Sequence, residues 1–215
     1  MFPLFAGVVA EDWPALARQL RLRAVHLARG EVLLRAGTAT AQLGLLAQGR
    51  VQVEQTDYWG RASLMAVVRP GDMFGEAFAL TGAALTVSAR ALEPSEVILA
   101  DVTPLLTGAD SPALATAARN LLSLLARKNL ALTARLTHMS QRRLREKLLS
   151  YLSQQAGMAR DSAFRLPLDR QQLADYLAVD RSALCRELGR MQQEGLLTLR
   201  GRCVTLHAEP LTAEP

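Results

Sequence analysis

Apolar residues change their rhythm three times along this chain. From Glu11 to Leu22 they recur at helical spacing: Trp13, Leu16, Ala17 and Leu20 share one face, and Pro14 falls in the first turn, where its missing N–H is tolerated. The ten residues before them, with Phe2, Leu4 and Phe5, form an apolar capping segment. From Ala24 to Val102 the apolar runs become short or alternating: Val32–Leu34, Leu43–Leu46, Val51–Val53, Leu64–Val68 and Val97–Asp101. Gly30, Gly37, Gly49, Gly60, the pair Pro70-Gly71, and Gly82 separate them. Strands about ten residues apart with glycine turns predict an antiparallel β-barrel or β-roll.

The third rhythm runs from Ser111, a good N-cap, to Met139, without a glycine. Ala118, Leu125, Leu132 and Met139 form one column of a heptad; Leu122, Asn129 and Leu136 form the other. An apolar seam with one asparagine is the pattern of a two-stranded coiled coil whose buried amide fixes register. The alternative is a long helix packed on its own barrel. A helix of about 28 residues would be about 42 Å long, more than such a barrel covers, so the pattern favours a parallel dimer. Near Ser140 an amphipathic helix begins, with Leu144, Leu148, Leu149 and Leu152 inside and Arg142, Arg143, Arg145 and Lys147 outside. A loop at Gly157–Ser162 and an extended piece at Phe164–Leu168 follow. The expected fold is α+β: a β-roll over residues 1–110, a long helix over 111–139, and a second domain over 140–215.

Charge sharpens this division. The net charge is +5, but residues 1–137 carry 13 basic and 11 acidic residues, while residues 138–207 carry 12 and 7. A basic C-terminal third suggests a polyanionic partner there. Two cysteines exclude a disulfide scaffold and a cysteine-ligated iron–sulfur cluster. His26, His138 and His207 have no metal-ligand spacing, and no paired carboxylates or nucleophile–histidine set supports an enzyme. No run of about 18 apolar residues and no basic leader occur, so the chain reads as soluble and cytoplasmic, with no membrane partner.

Residues 169–194 carry the most information. Asp169 caps a first helix whose inner face is Leu173, Ala174 and Leu177. Ala178-Val179-Asp180 turns the chain, and Asp180 caps a second helix with Leu184, Leu188 and Met191 inside. Arg181, Arg186 and Arg190 lie outside, and Ala174 lets the helices approach closely. This is a helix-turn-helix. Leu196 to Leu206 then reads as a β-hairpin with an Arg200-Gly201-Arg202 tip, a wing.

The whole order resembles the CRP/FNR family of bacterial transcription regulators. The roll carries Gly30-Glu31, Gly37, the Leu46, Gly49, Val51, Val53 strand pair, and Pro70-Gly71-Asp72-Met73-Phe74-Gly75-Glu76. Ala89-Arg90-Ala91-Leu92-Glu93, Ser95-Glu96-Val97 and the segment Leu173–Gly195 also match. The resemblance implies a cyclic-nucleotide-binding-type roll (a double-stranded β-helix), a dimerisation helix and a winged helix-turn-helix on double-stranded DNA with a two-fold symmetric operator. RNA polymerase is an expected partner if the protein is an activator. It also implies that Arg181, Ser182 and Arg186 hold the base-reading positions. That fits geometry, since 181 lies in the first turn and 186 one and a half turns on, and arginine can bond guanine bidentately. Arg142, Arg143, Arg200 and Arg202 read either as phosphate clamps or as solvated charge. Glu187 departs from the family by standing at a usually apolar position; it either faces phosphate or pairs with Arg190 or Arg186.

The family's cyclic-nucleotide members follow Gly-Glu with an arginine ten or eleven residues after the glycine. Here Gly75-Glu76 is present, but that position falls on Leu85 or Thr86. A buried phosphate without a cation is costly. Arg90 is nearby but aligns with an outward strand position, and Lys128 and Asn129 stand where the nucleotide base would be met. Glu76 is then expected to bond its own loop's amides. The resemblance gives no cofactor: the oxygen sensor's cysteine cluster is missing, and His26, the roll's only histidine, reads as a surface or packing residue. Cys185 reads as a small packing residue of the recognition helix, and Cys203 on the wing as equally inert. The expectation is a regulator whose roll either senses another small molecule or works empty. The alternatives are a cAMP-responsive regulator and a sensor with a protein-interaction output.

Overall fold

The computed structural model of the chain describes residues 2–107 and 111–207. It divides into two units, residues 1–126 and 127–215. The expected domain boundary beside residue 110 and residues 208–215 lie outside the described residues.

The first unit carries helix α1 (Trp13–Gln19) and strands β1 (Arg23–Leu27), β2 (Val32–Leu34), β3 (Gln42–Gln48), β4 (Val51–Thr56), β5 (Ala62–Val68) and β6 (Met73–Phe74). Helix α2 (Glu76–Thr81), strands β7 (Ser88–Ala91) and β8 (Ser95–Asp101), and helix α3 (Thr103–Leu106) follow. Helix α4 (Pro112–Ser140) starts in this unit and ends in the second. The strands form two antiparallel four-stranded sheets, ordered β1-β8-β3-β6 and β2-β7-β4-β5. Alternation along each strand divides the apolar residues between two cores. Leu27, Leu34, Leu46, Val51, Phe74, Leu85, Val97 and Leu99 fill the roll interior. Leu43, Leu45 and Ala100 face the other way and meet Leu4, Phe5, Leu16, Leu20 and the first turns of α4. Gly44 sits beneath the Phe74 ring, where a Cβ would come within 2.4 Å of Cζ. Only glycine allows that stacking.

The structure adds short elements that periodicity could not resolve: β1, β6, β7, α2 and α3. Each spans seven residues or fewer, too few to establish a period. Trp13, expected on the inner face of α1, is exposed at its rim and lies edge-on to Phe5, with centroids 5.0 Å apart. His26 is exposed on β1 opposite Glu96, which settles it as a surface residue.

Helix α4 begins on Ser111, whose hydroxyl accepts the Leu114 amide at 3.2 Å. Ala113, Leu114, Ala117 and Leu121 pack on the roll. On the neighbouring stripe Leu122, Leu132 and Leu136 are 67%, 60% and 67% exposed, and Asn129 and Met139 are exposed as well. Ala118 and Leu125 are half-buried, with Leu125 against the roll cluster. The helix therefore packs on its own roll through one stripe and presents the heptad seam through another.

The second unit holds the end of α4, helix α5 (Leu144–Ala159), strand β9 (Ala163–Arg165), helices α6 (Arg170–Leu177) and α7 (Arg181–Gln193), and strands β10 (Leu197–Arg200) and β11 (Cys203–Leu206). Its three-stranded sheet is ordered β10-β11-β9. Leu148, Tyr151, Leu152, Leu166, Leu173, Leu177, Leu184, Leu188, Met191 and Val204 form one core. Two expectations fail here. Helix α5 runs through Gly157 to Ala159 and stops on Arg160 at φ +53°, so no loop opens at Gly157. A helical glycine costs about 1 kcal/mol, less than burying Leu148, Tyr151 and Leu152 returns at about 1.5–3 kcal/mol for each large side chain. Leu149 is exposed, and Tyr151 takes the inward place assigned to it.

The Tyr151 hydroxyl is buried and has no hydrogen-bond partner among the described residues. Burial, with Tyr176 nearby, pushes its pKa up to about 12. Between pH 10 and that value the unfolded chain gives up a proton that the folded unit keeps, so stability falls as pH rises. Tyr151→Phe removes both the unpaired hydroxyl and this ionisation. It is expected to raise stability by about 1 kcal/mol and to flatten the alkaline loss in a pH series of urea melts. A loss of stability on this substitution would show that the hydroxyl is bonded in solution.

Candidate functional site

The helix-turn-helix is built by its caps. Asp169 Oδ1 accepts the Gln172 amide at 2.8 Å while Gln172 Oε1 accepts the Asp169 amide at 3.0 Å, a reciprocal capping box. Ala178 turns the chain in the left-handed region at φ +52°. Asp180 Oδ1 then accepts the Ala183 amide at 2.9 Å and the Ser182 hydroxyl. These bonds, the Ser182 hydroxyl first, hold the Asp180 carboxyl below its ordinary value. The cap is therefore complete above the usual carboxylate pKa and is lost as pH falls through the lowered one.

With Leu184, Leu188 and Met191 buried, the outer face of α7 presents Arg181, Ser182, Cys185, Arg186, Gly189 and Arg190, all exposed. Cys185, expected to pack, is on this outer face instead, because the burial stripe passes through 184, 188 and 191. Cys203 is exposed too. Ser182 stands beside Arg181 as expected, with its hydroxyl proton committed to Asp180. Glu187 is largely buried and lies 3.6 Å from Arg190 and 3.9 Å from Arg145 on α5. It thus turns inward and pairs with Arg190 rather than Arg186. Arg145, expected outside, also binds Glu194, so α5 and α7 are joined by charge as well as by packing.

The wing forms as expected, with Leu197 to Arg200 paired against Leu206 to Cys203. Its two arginines differ. Arg200 is exposed at the tip. Arg202 donates from Nε to the Leu166 carbonyl at 3.0 Å and from Nη2 to the Pro167 carbonyl. Its guanidinium thus ties the wing to the segment that leads from β9 into α6, a contact neither earlier reading included. Arg170 reinforces this by donating to the Gly201 carbonyl at 3.1 Å. Arg142 and Arg143 are exposed ahead of α5, whose Glu146 accepts the Arg143 amide at 3.2 Å.

Sequence reasoning missed a second anchor. On the last turns of α4, Arg135 donates from Nε to the Tyr176 carbonyl at 2.9 Å and from Nη2 to the Asp175 carbonyl at 3.3 Å, with its guanidinium 5.5 Å from the Tyr176 ring centroid. Lysine and arginine interact favourably with helix C-terminal carbonyls. One turn on, His138 is 2% exposed, with Nδ1 2.8 Å from Ser150 Oγ and Nε2 2.9 Å from Gln154 Oε1. Its ring stands edge-on to Tyr151. Nothing in the heptad distinguishes these two residues from solvent-facing ones.

In the roll, a cavity of about 130 Å³ is lined by Leu34, Val53, Phe74 to Phe78, Leu85, Val87 and Ala89. Gly75 and Glu76 lie on its wall, Gly75 at φ +76° and so close to Leu34 that a Cβ would meet Cδ1 at 2.9 Å. Leu85 is buried in the lining, whereas Thr86 is exposed and not part of it. Lys128 and Asn129 are exposed residues of the second unit. Arg90 points out of the roll, as expected, and bonds Glu54 Oε1 at 3.0 Å and the Gly30 carbonyl at 2.7 Å. Among the described residues no group of histidines, cysteines and carboxylates could hold a metal, and no helix is long and apolar enough to cross a membrane.

A roll of this topology joined to a winged helix-turn-helix defines a class of DNA-binding regulators, and the comparisons agree. Residues 24–107 match the cyclic nucleotide-binding domain family, and residues 142–213 the Crp-like helix-turn-helix domain family. The transcriptional regulator LdrP of Thermus thermophilus is 31% identical over 84% of this chain and 90% of its own. A CRP-like cAMP-activated global transcriptional regulator of Mycobacterium tuberculosis is 25% identical over 94% of this chain and 91% of its own. Among solved structures, a CooA variant from Carboxydothermus hydrogenoformans superposes with a TM-score of 0.56 at 17% identity, covering 90% of this chain and 86% of that one, and so shares the fold. The chain belongs to the CRP/FNR family: it is a DNA-binding transcription regulator, not an enzyme.

Proposed function

We propose that the protein acts in the cytoplasm as a homodimer that binds a two-fold symmetric operator. Arg181 and Arg186, with Ser182, read base edges; Arg142, Arg143 and Arg200 contact phosphates. The observation that carries this reading is the outer face of α7, where Arg181 and Arg186 are exposed on a helix whose opposite face is wholly buried. The exposed stripe Leu122, Asn129, Leu132, Leu136 and Met139, continued by Ala118 and Leu125, supplies the dimer seam. RNA polymerase is the partner where the bound protein activates.

The roll is the effector domain, and neither a cofactor nor cAMP is its ligand. Neither Leu85 nor Thr86, the two positions at which the resemblance places a phosphate-binding arginine, supplies a cation, and Arg90 is held by Glu54 and Gly30. The experiment is selection of bound sequences from a random duplex pool by the full chain. A symmetric consensus with half-sites about one helical turn apart is expected. Enrichment no better than that of the Arg181→Ala, Arg186→Ala double variant would overturn the reading.

A further inference from the structure

The exposed arginines of α7 are aimed by a helix that apolar packing alone does not orient. Leu184, Leu188 and Met191 bury its inner face, but apolar burial is non-directional and tolerates a small turn of the helix about its own axis. A turn of about 10° moves a group on the helix surface by about 1 Å. A recognition geometry holds only within about 0.5 Å and 10–20°. Fixing the rotation of α7 therefore takes bonds with direction.

One cation on α5 supplies them. The Arg145 guanidinium forks onto Glu194, with Nη1 3.2 Å from Oε1 and Nη2 on the other oxygen, and the same Nη1 lies 3.9 Å from Glu187 Oε1. Glu187 and Glu194 stand two turns apart, about 10.5 Å along the axis, so α7 is gripped at two points from one side. Arg190 closes on Glu187 at 3.6 Å from its own helix. The Glu187 side chain is only 14% exposed, and a carboxylate with so little water needs a charged partner. A leucine at this usually apolar position would pack without one. The ion pair thus adds little stability over an apolar pair; what it adds is direction.

We propose that Arg145 is a positioning residue for operator recognition: by holding Glu187 and Glu194 it sets the rotation of α7, and with it the aim of Arg181 and Arg186. The inference rests on the reading of those two arginines as base readers. It gives α5 a part in sequence specificity through a residue with no base contact of its own. At the far end of α7, Gln192 Oε1 accepts the Leu199 amide at 2.9 Å and joins the wing to the same helix. Wing and helix therefore stay together when the grip on α5 is released, and contacts to phosphate persist.

The test uses the full chain, the consensus operator returned by duplex selection, and an unrelated duplex. Arg145→Met combined with Glu187→Leu exchanges the pair for apolar side chains at unchanged net charge. This double variant is expected to melt no lower than the unsubstituted chain, since well-packed apolar residues commonly equal a buried ion pair. Its affinity for the unrelated duplex and its salt slope are expected to be unchanged, because no phosphate contact is lost. Discrimination against single-base substitutions is expected to fall about tenfold at the operator pairs read by Arg181 and by Arg186 together. A purely structural pair would leave discrimination intact once stability is kept. Loss at both pairs also separates this effect from Arg181→Ala or Arg186→Ala, each of which flattens one. If the double variant melts lower, Arg145→Lys decides: its ammonium keeps a charge beside Glu187 but lacks the fork, and a severalfold loss at both pairs is expected. The proposal is overturned if the double variant keeps both stability and full discrimination, or if Arg145→Lys keeps full discrimination where the double variant unfolds. A lowered salt slope in either variant also overturns it, by making Arg145 a phosphate contact. Intact discrimination in the variants overturns this inference alone, whereas an unsubstituted chain that selects no consensus overturns the regulatory reading beneath it.

Discussion

Lysine at both Leu132 and Leu136 is expected to convert the protein to a monomer and to weaken specific operator binding by about 10²–10⁴-fold, the factor by which two linked half-sites exceed one. Both leucines lie on the exposed stripe of α4, so their replacement removes no contact from the core of the second unit. Each dimer would bring four ammonium groups to one seam, two from each helix, where like charges at close range oppose association. Helix content and the melting temperature of the winged unit are expected to stay unchanged, which separates lost assembly from lost folding. Sedimentation is the direct measurement, and an unchanged mass for the double variant sinks the seam.

The second large effect divides the arginines. Arg181→Ala or Arg186→Ala is expected to remove about 1–3 kcal/mol of discrimination at one symmetric pair of operator positions. Preference elsewhere in the operator would be unaltered. Arg200→Ala is expected to weaken all sequences alike and to lower the salt slope by about 0.9 per lost phosphate contact in each subunit. Arg202→Ala should behave differently from both. Its guanidinium is bonded to the Leu166 and Pro167 carbonyls, so its loss frees the wing and lowers affinity with little change in slope. The measurement is binding of each variant to a library of singly substituted operators at several salt concentrations. Retained base preference in Arg186→Ala together with lost preference in Arg202→Ala would move the reading element from α7 to the wing.

These arginines also show what the sequence can and cannot convey. The buried faces of α6 and α7 were legible because each helix keeps a 3.6-residue period behind an aspartate cap, and the strands of the roll because glycine turns bound them. Cys185 was misplaced because its small side chain was weighed by residue type, although the legible stripe 184, 188, 191 already puts position 185 about 100° off the buried face. Leu149 and Tyr151 exchanged roles for the same reason, and an α5 extending through Gly157 reflects packing outweighing local propensity. Arg202 was read as a phosphate clamp or solvated charge and Arg135 was not singled out; the backbone bonds of both were illegible. A guanidinium that bonds backbone carbonyls 30 or more residues away leaves no local pattern, since any segment supplies carbonyls. The roll cavity was half legible: Gly75, Glu76 and Leu85 were singled out, while Val53, Val87 and Ala89 gather around them only through the pairing of β4 and β7.

Arg135 and His138 lie on the same turns of α4 as Leu132, Leu136 and Met139. The first two grip α5 and α6, and the other three lie on the exposed stripe proposed as the seam. Seam and reading helix are therefore parts of one solid piece. In a dimer joined there, the pitch and phase at which two such helices cross would fix the distance between the two copies of α7. The operator's spacer length would then be written in the side chains of α4 rather than in those that meet the bases.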